Sequence, residues 1–534
     1  MKRTLSSFFL HLFIAIPVIA ISGIAIPATA APLPEPVSAA LKRAHIPLSN
    51  VGIVVQEIDA SSPIIALNAG QAMNPASTMK LLTTFAALET LGPAYRWKTE
   101  AYLNGKLEYG VLQGDLVFKG YGDPKLTVEQ FWMWLRELRQ RGLREIHGDI
   151  VLDHGFFEDA NQDPAEFDND PTRAYNVGTS ALLLNFNALH LHLIPNGHTT
   201  IAVLDPDLAG YTLQNSITTS TKLRCHDEDS YTVRLDGHVI KLEGSIPDNC
   251  GEADDYFSLL PHDEYFFAVF SALWQELGGS LQGRLRVGTA PAGQMPYATY
   301  VSPELSEVIR DINKFSNNTM ARQVFLTFGT VDTARTAASV LPAAGSDSSA
   351  GNTDLSGEQG DTNVSSAQNG GDTLVETVVE TLAPLPAPVD DQPKASIARS
   401  IGRMQQWLKA QQLQFPELVL ENGSGLSRKE RISAQHLAKI LQQATRSPFS
   451  AELESSLPIL GMDGTVKKRF KDSEMAGHAH LKTGTLESVK SMAGYVDARN
   501  GKKWVVVFII NHPNAAKGQA AQDALIEWVQ QQHQ

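Results

Sequence analysis

The chain has 534 residues, 43% of them hydrophobic and 19% charged, which supplies a sizeable core and a length that suggests about three domains. Its 44 Lys and Arg against 58 Asp and Glu leave a net charge of −14. With no clustered basic run, that balance excludes a nucleic-acid partner, which would demand a Lys- and Arg-rich surface.

Lys2 and Arg3 precede an apolar stretch from Phe8 to Ile26 that ends at Ala28-Thr29-Ala30. Residues 1–30 therefore read as a signal peptide cut before Ala31, with export to a bacterial periplasm. A retained membrane anchor is the rival, because the stretch approaches the ~20 residues that span a bilayer; Pro17, Gly23 and Pro27 speak against it. Residues 51–58 and 64–67 are β-rich runs separated by the turn cluster 59–63, a hairpin that leads to Ser77. From Thr78 to Thr90 the spacing is helical and apolar on several sides, so this helix should be central, with Gly92-Pro93 as its stop.

The pattern then changes to short strands at 101–103, 116–119 and 150–153, interrupted by a helix over 128–141 with Phe131, Trp132 and Leu135 on one face. Further strands fall at 189–194, 199–204, 231–235 and 239–242. His190 and His192 alternate along the first of these and read as neighbouring strand positions rather than as a metal-ligand pair. Cys225 and Cys250 are the sole cysteines, and an even count in an exported chain reads as one disulfide. No metal or other cofactor is expected from two thiols without a nearby His pair.

A helical period over 266–277 is followed by another at Leu305, Val308, Ile309 and Ile312, which the segment 318–326 is expected to continue. Residues 331–393 are rich in Gly, Ser, Asp, Thr, Ala and Pro and read as a disordered insertion. Helix resumes over 400–411, residues 421–426 form a tight loop, strands fall at 480–485, 492–497 and 504–510, and 520–529 closes the chain as an amphipathic helix with too little basic charge to anchor it to a membrane surface.

Three short motifs carry chemistry. Ser77 and Lys80 stand one helical turn apart, which pairs a hydroxyl nucleophile with an amine able to take its proton. Ser316-Asn317-Asn318 and Lys482-Thr483-Gly484 follow in the order used by penicillin-recognising serine enzymes. With Gly120-Tyr121-Gly122-Asp123-Pro124 and Gly423-Ser424-Gly425-Leu426, the set resembles the D-alanyl-D-alanine carboxypeptidase/endopeptidases of the penicillin-binding protein 4 type across nearly the whole mature chain.

That resemblance implies a multidomain α/β (α+β) protein with a serine β-lactamase-like catalytic domain, an antiparallel sheet flanked by helices, and inserted β-rich accessory domains. The division expected is catalytic segments 31–96, 296–330 and 394–534, accessory domains at 97–295, and the insertion 331–393, where the family's connection is short. The resemblance further implies peptidoglycan stem peptides as substrate, β-lactams as covalent inhibitors, and a Ser77 acyl-enzyme. In it Lys80 is the base, its proton affinity lowered by Lys482; Ser316 relays the proton, Asn318 holds Lys80 and the substrate amide, and Ser77 and Thr485 supply oxyanion-hole N–H groups. Lys482, Thr483 and Thr485 receive the substrate carboxylate, and Gly484 leaves room for the docked peptide. An acidic side chain from the accessory region is also implied near the cleft, in the stretch holding Asp168 and Asp170. The rival readings are a serine β-lactamase and a catalytically silent wall-binding protein. Oligomeric state is left open.

Overall fold

The structure is a computed structural model that describes residues 32–158, 162–221, 223–224, 230–330 and 394–532. The expected signal peptide, the insertion 331–393 and Cys225 lie outside the described residues. Among the described residues no helix is long and apolar enough to cross a membrane.

Both ends of the chain build one five-stranded antiparallel sheet, in the order Ala479–Leu486, Val489–Asp497, Lys503–Asn511, Val51–Glu57, Ile65–Leu67. Its central strand, Lys-Trp-Val-Val-Val-Phe-Ile-Ile-Asn, is buried from Trp504 to Ile510 because both faces are covered. Trp504, Val506, Phe508 and Ile510 pack with the terminal helices Glu35–Arg43 and Gln519–Gln530 through Val37, Leu41, Leu525 and Val529. Val505, Val507 and Ile509 turn the other way, into the core around the helix Lys80–Leu91. That helix is buried at ten of its twelve positions, as its all-round apolar sequence demands.

Two more sheets form the rest of the described chain. A seven-stranded sheet runs from Lys98–Glu108 to Ala298–Val301, which pair with each other, and a six-stranded sheet ends at the edge strand Ala253–Phe257. Leu116 and Phe118 of the first sheet, Leu189 and Leu191 of the second, and the helices Val128–Gln140 and His262–Glu276 share one apolar core.

Two expectations are corrected. The buried stripe of Val128–Gln140 is Phe131, Trp134, Leu135 and Leu138; Trp132 stands about 100° away and is half-buried, with its indole N–H on Glu276. The helix before Ser316 does not continue. Leu305–Phe315 stops at Ser316, which adopts a left-handed conformation (φ 59°), and Asn317 caps a new helix, Asn318–Phe328, by accepting from the Met320 N–H. The helix Ala434–Thr445 and the strands Thr212–Ser220 and Ala253–Phe257 were not foreseen, the strands because too few of their residues are β-formers.

Candidate active site

Ser77 lies in a 3-10 turn, Ala76–Met79, that runs directly into Lys80–Leu91. The turn is pinned from several directions. The Ala76 N–H donates to Asn74 Oδ1 at 2.9 Å, and the Ser491 hydroxyl, from the neighbouring sheet, donates to the Pro75 carbonyl at 2.5 Å. Ala76 itself has φ 46°, a conformation disfavoured for a residue with a Cβ and held here by those bonds. The result is a rigid mount for the Ser77 hydroxyl.

One turn on, Lys80 is wholly buried and its Nζ has three partners: Ser77 Oγ at 3.0 Å, Asn318 Oδ1 at 2.6 Å and the Ser424 carbonyl at 2.5 Å. Two of these are carbonyl oxygens, which accept and cannot donate. A neutral amine satisfies both with its two N–H groups and keeps its lone pair for the Ser77 O–H. The surroundings favour that neutral form. Burial pushes the Lys80 proton affinity well below the ordinary lysine range, and the positive charges of Lys482 and then Arg322 push it the same way, against the opposing pull of Glu430. The neighbouring cation emphasised by the sequence reading is thus the second cause, after desolvation.

Lys482 sits on the edge strand Ala479–Leu486, whose alternation turns residues 482 and 484 toward the helices. Its buried Nζ donates to Ser316 Oγ at 2.8 Å and to the Thr483 carbonyl at 2.7 Å, and burial lowers its pKa to about 7. The break after Phe315 explains why Ser316 is free to point here. Gly484 has a reason different from the one expected: a Cβ at this position would lie 2.8 Å from the Ser77 backbone N and 2.4 Å from Ser491 Oγ, so the space is taken by the protein's own serine turn. Thr483 bonds the Thr465 hydroxyl at 2.8 Å and Thr485 is exposed. Ser77, Ser316, Thr483, Gly484 and Thr485 line one cleft of about 310 Å³, which Arg469 and Lys490 also border.

The structure therefore brings Ser77, Lys80, Ser316, Asn318, Lys482, Thr483, Gly484 and Thr485 together. It adds groups that the sequence did not single out. Glu430 is wholly buried, and its Oε1 accepts the backbone N–H groups of Glu421, Asn422 and Gly423 at 2.9 to 3.1 Å. That carboxylate shapes the loop that presents the Ser424 carbonyl to Lys80, while Thr83 donates to the Gly423 carbonyl from the nucleophile's helix. Gly425 (φ 82°) is needed where the loop passes the serine turn, since a Cβ there would fall 1.9 Å from the Ala76 carbonyl oxygen. The accessory region reaches the site through the Tyr175 carbonyl, 3.4 Å from Asn318 Nδ2. Asp168 accepts from the Tyr175 hydroxyl and Asn176, and Asp170 pairs with Arg173, so both carboxylates are engaged within their own loop.

Among the described residues the one cluster of possible metal ligands lies on the six-stranded sheet, away from the cleft. Cys250 has its Sγ 3.4 Å from Asn249 Oδ1, and its expected partner is outside the described residues.

Known proteins match this arrangement over most of its length. The chain is 23% identical over 469 residues to the D-alanyl-D-alanine carboxypeptidase DacB of Haemophilus influenzae, covering 87% of this chain and 85% of that one. It is 26% identical over 506 residues to a D-alanyl-D-alanine carboxypeptidase of an Actinomadura species, covering 89% and 80%. The crystal structure of penicillin binding protein 4 from Haemophilus influenzae has the same fold, with a TM-score of 0.66 at 21% identity over 92% of this chain and 99% of that one. The sequence profile of the D-Ala-D-Ala carboxypeptidase 3 (S13) family matches residues 33–347 and 386–532, a span that contains every residue placed above around Ser77. The chain belongs to the D-Ala-D-Ala carboxypeptidase 3 (S13) family and is a hydrolase of the penicillin-binding protein 4 type.

Proposed function

We propose that the protein cleaves peptidoglycan stem peptides, as a D-Ala-D-Ala carboxypeptidase and endopeptidase, through an acyl-enzyme on Ser77. The observation that carries this reading is the Lys80 amine: 3.0 Å from the Ser77 hydroxyl, buried, and otherwise bonded to two carbonyl oxygens.

Ser77 Oγ attacks the penultimate D-Ala carbonyl while its proton passes to Lys80 Nζ. The tetrahedral oxyanion receives the N–H groups of Ser77 and Thr485, a contribution of about 2.7 to 4 kcal/mol per donor in comparable sites. Its collapse breaks the amide and expels D-Ala, or the amine of a cross-link. The leaving nitrogen takes the proton held by Lys80, relayed through the Ser316 hydroxyl, which Lys482 orients from 2.8 Å. Water then releases the peptide by the reverse exchange. The hydroxyls of Thr483 and Thr485 and the Lys482 ammonium hold the substrate's terminal carboxylate.

The same contacts admit β-lactams, whose strained amide and carboxylate stand where D-Ala-D-Ala places its own. A crystal structure of the Haemophilus influenzae protein with a bound β-lactam has a TM-score of 0.64 to this chain. Benzylpenicillin is expected to leave an adduct on Ser77 that mass spectrometry of a digest locates, and the free enzyme to release D-Ala from a synthetic pentapeptide. An adduct elsewhere, or no D-Ala, overturns the assignment.

Further readings belong with this one. The chain divides into catalytic segments 31–96, 296–330 and 394–534 around accessory domains at 97–295 and the insertion 331–393. It is exported to the periplasm after loss of residues 1–30, which N-terminal sequencing of the mature protein tests. Cys225 and Cys250 form a disulfide worth about 3 kcal/mol on the chain-entropy account; two free thiols in denatured, unreduced protein would refute it.

A further inference from the structure

His190 and His192 are neighbours on one strand. Both side chains do stand on the outer face of Leu189–Asn196, since the residues between and beside them, Leu189, Leu191 and Leu193, are buried in the core below. Their surroundings were not visible in the sequence. The edge strand Ala253–Phe257 runs antiparallel alongside, with Asp254 directly opposite His192 and Tyr256 opposite His190. His190 Nε2 and His192 Nδ1 each lie 2.7 Å from the same carboxylate oxygen, Asp254 Oδ1.

We propose that His190, His192 and Asp254 form a binding site for a divalent transition-metal ion of the zinc class, which clips the edge strand Ala253–Phe257 to the sheet. One nitrogen from each ring and one carboxylate oxygen all fall within 4.8 Å of one another. A tetrahedral ion with ligand bonds of about 2.0 to 2.2 Å separates its ligands by roughly 3.3 Å, so each nitrogen, 2.7 Å from Asp254 Oδ1, needs to draw back from that oxygen by about 0.6 Å to admit it. Two imidazoles with one carboxylate select zinc, nickel or copper over magnesium or calcium, which prefer all-oxygen sites.

The rings are also held as a metal site requires. His192 Nε2 lies 3.4 Å from Glu252 Oε2, so once an ion takes Nδ1 in place of the proton shared with Asp254, a carboxylate stands beside the N–H on Nε2. His190 is stacked on Tyr256, with ring centroids 4.7 Å apart and planes 14° from parallel. The side chains are about one-third exposed for the two histidines and half exposed for Asp254, so an ion has an entry path and water completes its coordination. The site is on a different sheet from Ser77 and takes no part in acyl transfer.

The test uses the full mature chain without any affinity tag. Zinc titration by calorimetry at neutral pH is expected to give one saturable site, and cobalt to give the visible spectrum of a tetrahedral nitrogen and oxygen site. The double variant His190→Ala/His192→Ala should lose the site, and Glu252→Gln should weaken it about 10-fold or more by removing the carboxylate beside His192 Nε2. Zinc should slow amide exchange of residues 254–256 in the wild type alone. His154→Ala, which removes a histidine outside the cluster, should bind zinc normally, and penicillin labelling of Ser77 should be unchanged in every variant, showing that each is folded. No saturable zinc binding, or a site that survives in the double variant, overturns the proposal.

Discussion

The five-stranded sheet beside Ser77, antiparallel throughout, and the mixed six-stranded sheet that carries His190 serve opposite ends. The strand Lys503–Asn511 is buried at seven consecutive residues because helices cover both faces. The strand Thr199–Asp205 alternates instead, with Ile201 and Val203 each 47% exposed on its open side. A dry, two-sided sheet lets a charged amine be stripped of water and its proton affinity lowered, as at Lys80 and Lys482. A one-sided sheet leaves its histidines and carboxylates in contact with solvent. The burial that makes the core also tunes the lysines, whereas the open face is fitted for exchange of an ion.

The largest effects should come from the dry side. Ser77→Ala removes the nucleophile and is expected to abolish penicillin labelling in mass spectrometry. Lys80→Ala should fold and still bind, yet acylate roughly 10²- to 10⁴-fold more slowly for want of a base. Residual labelling at the wild-type rate would break the link between burial and reactivity.

Glu430→Ala is next. It strands three backbone N–H groups in a buried loop, each costing about 1 to 3 kcal/mol, and releases the Ser424 carbonyl from Lys80. Both melting temperature and acylation rate should fall. Glu430→Gln retains an acceptor oxygen and should recover part of each, as thermal denaturation and stopped-flow labelling check.

The pH profile sharpens the same point. Acylation needs neutral Lys80, so its rate should rise with pH as that amine loses its proton, well below the ordinary lysine range. Lys482→Gln removes a positive charge that resists protonation of Lys80, so the acid limb should move to higher pH. It should stay below the value of free lysine, because desolvation, the larger cause, remains. An acid limb unmoved in that variant would take Lys482 out of the shift and leave it to burial and Arg322.

On the open sheet the expected effects divide by face. Leu191→Ala, in the shared core, should cost about 2 to 5 kcal/mol of stability. Ile201→Thr, on the exposed face of the next strand, should cost within about 0.5 kcal/mol. Denaturant titration measures both, and neither should alter labelling of Ser77 at temperatures where the protein is folded.

The local parts follow from the residues alone. A Ser and a Lys one turn apart must share a helix face, and the apolar period of Leu305, Val308, Ile309 and Ile312 must bury one side of its helix. The alternation along 189–194 likewise determined that His190 and His192 would share a surface. These follow from periods of 3.6 and 2 residues, which any reader of the chain has in hand. Contacts between residues far apart in sequence come only from the packing of the whole fold. The Ser424 carbonyl meets Lys80 across 344 positions, and Asp254 meets His192 across 62. The break at Ser316 was equally hidden, because the helical period runs on through it and only the reach to Lys482 and the Asn317 cap show why the helix stops there. Periodicity reports which face a side chain takes. Which groups face one another, and how dry the space between them is, depends on how the sheets and helices pack, and the chemistry of Lys80 depends on that dryness.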